Sequence, residues 1–142
     1  MAKGLAKCLP NAPVMEMKLL KRTHSQDEIE SFKKDPLNRH EKLKAKFCYE
    51  ILEFTKYYRD NYINQIETPF FVLQGKEDEY CDPNGAKLLS EKTVLVEDKE
   101  VEFIDGLYHD LLFEICSENT LDKIVDWINK RNPQSRRKQV KR

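Results

Sequence analysis

The feature that most constrains the fold is a continuous apolar run from Phe70 to Leu73. Pro69 precedes this run and Gly75 follows it, a pattern typical of a strand that is buried on both faces. A second strand is predicted from about Val101 to Ile104. Such strands occur mainly in parallel sheets whose faces are covered by helices. The pattern therefore predicts an α/β fold.

A helix is predicted after each of these strands. Asp82 as N-cap and Pro83 at the first position open a short helix, and Ser117 caps a last one. The last helix carries an apolar stripe at Leu121, Ile124, Val125 and Ile128. The order strand, helix, strand, helix implies a parallel sheet. Because two parallel strands alone would leave exposed edges, a partner, a second copy of the chain or missing upstream sequence must supply the remaining strands.

The first 66 residues predict helices joined by turns. Ser25 and Glu28 form a capping-box pattern, and Asp35 followed by Pro36 ends that helix. A longer helix is predicted from Glu41 to Asn61. Its apolar stripe consists of Leu43, Phe47, Ile51, Phe54 and Tyr58. Such a stripe is more often core packing than a lipid contact, although in a lid it can be both.

The chain has no net charge, but its charged residues are unevenly distributed along the sequence. Lys plus Arg and Asp plus Glu both number 25, so no nucleic-acid partner is expected. The predicted organisation is a helical region at 1–66, an α/β segment at 67–131, and a basic, disordered tail at 132–142.

Cysteine spacing and hydropathy indicate in which cellular compartment the protein is expected. The four cysteines are widely spaced without a CxxC pair, so we expect reduced thiols in a cytoplasmic protein. The start of the chain lacks the long apolar segment of a signal peptide, and no run of apolar residues is long enough to cross a membrane. Peripheral association with a membrane surface stays open.

Two chemically competent side chains follow the two predicted strands. Asp78 comes just after the first strand and His109 just after the second. In an open parallel sheet these strand ends meet at one edge, where ligands bind. An Asp beside an imidazole fixes its tautomer and stabilises the imidazolium that forms when the His takes a proton. In the chain order Ser, Asp, His, these residues would be the last two members of a triad.

These segments resemble the α/β-hydrolases of the monoacylglycerol lipase and serine aminopeptidase group. The family's triad acid ends a Leu-x-Gly-x-x-Asp pattern, which stands here from Leu73 to Asp78. Its histidine ends a Gly-x-x-His turn with a Glu soon after, as Gly106 to His109 and Glu114 stand here. Further agreement lies at Cys81-Asp82 and Asp35-Pro36-Leu37. The resemblance covers roughly the last half of a typical member, so the chain is expected to be its carboxyl-terminal part.

The resemblance implies a site and an activity. Asp78 would orient His109, and His109 would serve as the base. The helical region at 1–66 would be a cap or lid over an acyl-binding channel, with Phe32, Leu37 and Cys81 contacting substrate. The reaction would cleave a lipid ester, a monoacylglycerol or lysophospholipid, through an acyl-enzyme intermediate, without a cofactor. Peptidase and thioesterase chemistry stay open, because one triad serves many substrates.

The chain departs from this family at the nucleophile. A nucleophile elbow requires Gly-x-Ser-x-Gly. None of the serines has those flanks: Ser25, Ser31, Ser90, Ser117 and Ser135. The alternative is therefore an inactive, truncated hydrolase-like protein that acts as an interaction module.

The remaining histidines and cysteines carry no function in this interpretation. His24 and His40 lie among charged residues and are expected to be solvated surface groups. No metal site is expected, because the histidines and cysteines lack ligand spacing.

Overall fold

The computed structural model describes residues 2–16, 19–38 and 41–132. His40 lies outside the described residues, as does the predicted basic tail beyond Asn132. The helices are α1 (Ala2–Cys8), α2 (Gln26–Lys34), α3 (Ala45–Asn61), α4 (Asn84–Lys92) and α5 (Ser117–Arg131). The strands are β1 (Pro13–Met15), β2 (Leu43–Lys44), β3 (Phe70–Gly75) and β4 (Lys99–Ile104). Single 3₁₀ turns lie at Leu19–Lys21, Ile63–Gln65 and Leu111–Phe113.

The predicted parallel pair is present as β3 and β4. Phe70 lies opposite Lys99 and Gly75 opposite Ile104, with α4 as the crossover between the strands. The Phe71 ring on β3 stacks on Trp127 of α5, with centroids 6.1 Å apart. An α/β arrangement with flanking helices is therefore confirmed.

The outer edge of β3 has no strand partner among the described residues, where β3 pairs with β4 alone. The prediction that this strand is buried on both faces is wrong for this chain. Residues 70–74 are only half-buried, and Gly75 alone of the strand is buried. The apolar run carries the pattern of a central strand, but here it occupies an edge.

Residues 1–66, for which a lid is a prediction and which are called the lid region for that reason alone, contain more than the predicted helices and turns. β1 and β2 pair antiparallel, with Pro13 opposite Lys44, and the Ala45 N–H donates to the Ala12 carbonyl at 2.8 Å. This pairing explains why α3 begins at Ala45 rather than at Glu41. The boundary between the lid region and the α/β segment stays a prediction.

The ends of the helices agree only in part with prediction. Ser25 caps α2, since its Oγ accepts from the Glu28 N–H at 3.4 Å. The predicted start of α4 is wrong by one residue: Pro83 occupies the N-cap position without a side-chain cap, and Asp82 just before it accepts from the Asn84 N–H at 2.9 Å. The prediction that Ser117 caps α5 is wrong. Cys116 occupies that position without a side-chain hydrogen bond, and Ser117 is already the first helical residue.

The apolar stripe of α3 is exposed rather than packed in a core. Phe54 is 64% exposed, and Phe47 and Ile51 are about half exposed. In the part of the chain that the structure describes, no helix combines the length and apolarity needed to cross a bilayer.

Candidate active site

The turn after β3 holds the Asp78 carboxylate in a fixed orientation. Its side chain is only 4% exposed. Oδ1 accepts from the N–H groups of Tyr80 at 2.8 Å and Cys81 at 2.9 Å. Oδ2 accepts from the Gln74 amide at 3.0 Å. Donors that converge on both oxygens fix the plane of the carboxylate.

The turn after β4 brings His109 against this carboxylate. Gly106 adopts a left-handed conformation with φ of 72°, which glycine tolerates. The two turns then approach closely, and the Glu77 N–H donates to the Leu107 carbonyl at 3.1 Å. His109 Nδ1 lies 2.9 Å from Asp78 Oδ2. The structure thus brings together the two residues that the sequence analysis paired.

The electrostatics of the site favour an ionised carboxylate at Asp78. Burial by itself raises the pKa of Asp78, but hydrogen bonds from the Cys81 N–H and the His109 ring outweigh it, and the pKa lies below its usual range. An ionised carboxylate accepts a hydrogen bond from Nδ1–H, which leaves Nε2 as the acceptor of the ring. The imidazole is therefore in the tautomer that a general base needs.

Cys81 lies beside this pair. Donor atoms of Asp78, Cys81 and His109 all fall within 4.8 Å of one another. Burial, followed by the Asp78 charge, raises the pKa of the Cys81 thiol, so the thiol keeps its proton at neutral pH. A metal ion held by all three groups would displace that proton and the hydrogen bond of the pair. The spacing of these residues in the sequence did not indicate that the Cys81 thiol would lie this close to His109.

A second carboxylate, Glu114, lies on the other side of the His109 turn. Its side chain is 1% exposed and accepts from the Tyr108 N–H at 3.1 Å and the His24 N–H at 2.9 Å. His24 Nδ1 lies 3.1 Å from the same carboxylate. Burial by itself raises the pKa of Glu114, but hydrogen bonds from the backbone N–H groups of His24 and Tyr108 outweigh it and lower the pKa.

Comparison with known proteins decides the family. A family model described as serine aminopeptidase, S33, matches residues 1–115. The chain belongs to this family.

The curated proteins that this chain is similar to include monoglyceride lipases. A monoglyceride lipase homolog of Monkeypox virus is 30% identical over 129 residues, which cover 89% of this chain and 46% of the relative. The monoglyceride lipase of Rattus norvegicus is 29% identical over 132 residues, covering 92% and 43% respectively. The chain thus spans less than half the length of these relatives.

Solved structures give the fold of this S33 family member. A crystal structure of Paleococcus ferrophilus monoacylglycerol lipase matches with a TM-score of 0.76 at 22% identity, over 89% of this chain and 49% of that one. A soluble variant of the Saccharomyces cerevisiae monoglyceride lipase, in complex with a substrate analog, matches with a TM-score of 0.74 at 19% identity, over 91% and 45%. The predicted fold, the carboxyl-terminal part of an α/β-hydrolase, is confirmed.

The three residues predicted to contact substrate lie in different parts of the structure. Phe32 lines a cleft of about 290 Å³ that reaches Asp110, the residue after His109. Leu37 is 92% exposed and does not line that cleft. Cys81 lies against the Asp78–His109 pair. Of the three, Cys81 lies beside the pair and Phe32 shares a cleft with Asp110, and the contact of all three with a substrate stays a prediction.

His24 is exposed, as predicted, with 39% of its side chain accessible, but it also has packing and hydrogen-bond partners that the sequence did not indicate. Its ring stacks on Tyr108 with centroids 3.9 Å apart, and its Nδ1 contacts Glu114. Sequence reasoning missed this contact because 90 residues separate the two partners. The one available signal was the family pattern, which includes the Glu after the histidine.

Proposed function

We propose that this chain is the acid-and-base half of a serine hydrolase that cleaves a lipid ester, either a monoacylglycerol or a lysophospholipid. The observation that carries the proposal is the 2.9 Å contact between His109 Nδ1 and a buried Asp78 carboxylate. Membership of the S33 serine aminopeptidase family also supports the proposal. In a serine hydrolase, an acid aligned with a histidine base activates the serine for acyl transfer. The nucleophilic serine comes from sequence outside this chain.

The proposed reaction uses the two residues in distinct roles. His109 Nε2 takes the serine proton as the serine oxygen bonds to the ester carbonyl carbon. The same proton passes to the alcohol oxygen as the ester bond breaks, which leaves an acyl-enzyme. Water then attacks in the same way and releases the fatty acid. Asp78 stabilises the imidazolium in both steps without taking up the proton.

The names of the relatives support the substrate class. The similar proteins in virus and rat are a monoglyceride lipase homolog and a monoglyceride lipase, and the yeast neighbour binds a substrate analog. A panel of monoacylglycerol, lysophospholipid, thioester and aminoacyl peptide substrates separates lipid esterase from peptidase and thioesterase chemistry.

The proposal is tested on this chain joined to the sequence that its genome encodes directly upstream. If that sequence contains Gly-x-Ser-x-Gly, we expect fluorophosphonate labelling at its serine and monoacylglycerol hydrolysis that falls by at least about a thousandfold in His109→Ala. Asp105→Asn is the matched control, because Asp105 lies in the same turn but pairs with Lys76 at the surface. Undiminished hydrolysis in His109→Ala would refute the proposed role.

The second candidate is an interaction module without catalysis, and the open edge of β3 favours it. An apolar groove of about 500 Å³ runs along β3 and α5, lined by Phe71, Leu73, Leu112, Ile124, Trp127 and Ile128. The occupant that fits is a separate polypeptide with the nucleophile-bearing half of the same fold, which would add a parallel strand. Stable association with such a half, together with no labelling and no hydrolysis, would favour this candidate.

A further inference from the structure

The backbone N–H groups of the residues before and after His109 connect to one short segment, Arg22–His24, Tyr108 through Glu114 and Asp110 directly. Before His109, the Tyr108 N–H donates to Glu114, whose carboxylate also accepts from the His24 N–H. After His109, the Asp110 N–H donates to the Arg22 carbonyl at 2.8 Å. The turn that carries the imidazole is thus held on both sides by residues more than eighty positions earlier in the chain.

Side-chain contacts strengthen both attachments. The Arg22 guanidinium pairs with the Asp110 carboxylate at 2.6 Å, and both side chains are largely buried. The Thr23 hydroxyl donates to the Phe113 carbonyl at 2.7 Å. The His24 ring covers the Tyr108 ring.

Glu114 is the centre of this arrangement. Its buried carboxylate accepts from the Tyr108 N–H on one side and from the His24 N–H on the other. Hydrogen bonds to a buried charged group are among the stronger ones, and a buried donor left without its acceptor is costly. Removing this carboxylate would therefore leave donors on both segments without a partner at once.

We infer that Glu114 and Arg22–His24 form a clamp that positions the His109 imidazole against Asp78. The His109 side chain is 37% exposed and contacts only Asp78 and the Tyr80 ring among the interactions described, so its position also depends on the backbone that carries it. Glu114 and His24 act through that backbone and are positioning residues. The description of His109 as a base rests on the proposed function, whereas the coupling between the clamp and the Asp78–His109 pair does not.

The test measures the imidazole directly in the full chain, without substrate or nucleophile. Nuclear magnetic resonance of protein labelled with ¹⁵N-histidine detects the His109 Nδ1 proton, which is assigned by its loss in His109→Ala. In Glu114→Ala we expect this proton to exchange with water at least about tenfold faster than in the parent, the factor that corresponds to one lost hydrogen bond. Glu114→Gln, which keeps one acceptor oxygen, should restore part of the protection.

The matched control is Asp105→Asn, which removes a surface carboxylate of the same turn and should leave the exchange rate unchanged. His24→Ala provides a second variant in case Glu114→Ala does not fold, and it should also speed exchange. The clamp is refuted if a folded Glu114→Ala chain, or His24→Ala where Glu114→Ala does not fold, keeps the parent exchange rate. It is equally refuted if the parent shows no protonated Nδ1 at His109. An unchanged exchange rate in a folded Glu114→Ala chain would refute the clamp and leave the proposed hydrolysis untouched, so the two proposals can fail separately.

Discussion

Gly75 sets the distance between the turns that carry Asp78 and His109. A Cβ at this position would overlap the backbone carbonyl groups of Leu107 and Tyr108. Since those atoms are backbone, the strain cannot be relieved by a side-chain rotation. The residue at the end of β3 is therefore constrained by the turn after β4.

We predict that Gly75→Ala destabilises the chain by about 1–3 kcal/mol, the range for overpacking at a crowded site. It should also weaken the hydrogen bond between His109 and Asp78, because the turns must separate. Urea denaturation measures the first effect and the exchange of the His109 Nδ1 proton the second. Gly85→Ala is the control, because a Cβ there meets nothing within 4 Å and alanine favours the helix. Equal effects of the two substitutions would contradict this account.

The two buried carboxylates make stability depend on pH. The pKa values of Asp78 and Glu114 are lowered in the folded chain. Each therefore contributes stability that is fully present above its ordinary pKa and is lost as pH falls through the lowered value. We predict that the free energy of unfolding drops below about pH 4.5 more steeply in the parent than in Asp78→Asn or Glu114→Gln. Urea titrations across pH, with Asp105→Asn as control, measure the difference.

Sequence reasoning identified Asp78 and His109 because each follows a strand and both stand in a family pattern. It could not identify the clamp, since neither Thr23 nor His24 has a local pattern that points to Glu114. A contact between segments 90 residues apart depends on how the chain turns between them. Local sequence patterns carry no information about that path.

At the scale of secondary structure, prediction succeeded where one segment carries its own signal. β3, β4, α4 and α5 have apolar runs or stripes bounded by turn residues, and they form close to the expected positions. β1 and β2 were missed because each is only two or three residues long. Their pairing is a property of two distant segments, and it moves the start of α3.

The helix ends provide a prediction at the same scale. Asp82 hydrogen-bonds to the backbone at the start of α4, whereas Ser117 makes no such bond at the start of α5. We expect Asp82→Ala to lower the free energy of unfolding by about 1 kcal/mol. Ser117→Ala should change it by less than about 0.5 kcal/mol, as a substitution without a named mechanism does. Thermal and urea denaturation of both variants measure this, and equal losses would contradict the observed caps.

At the scale of the whole molecule, the outer edge of β3 has no strand partner among the described residues, so the backbone groups along this edge lack the pairing that a neighbouring strand would give. Successive N–H groups of a strand point to alternate edges. We predict that about half of the amide protons of β3 exchange rapidly in the chain alone and become protected when the nucleophile-bearing half is present. Hydrogen exchange read by mass spectrometry on the peptide containing residues 70–75 measures this. Full protection in a monomer would mean that part of the chain itself covers the edge.

All the residues that form the clamp and the Asp78–His109 contact lie between positions 22 and 114. The spacing between acid and imidazole is thus set before any other polypeptide arrives. An incoming half would have to supply a hydroxyl at the right distance from Nε2, but it would not have to align the two groups with each other. Formation of the active site would then require only that two preformed surfaces bind in the correct orientation. A misplaced serine hydroxyl would slow the reaction without disturbing the hydrogen bond between Asp78 and His109.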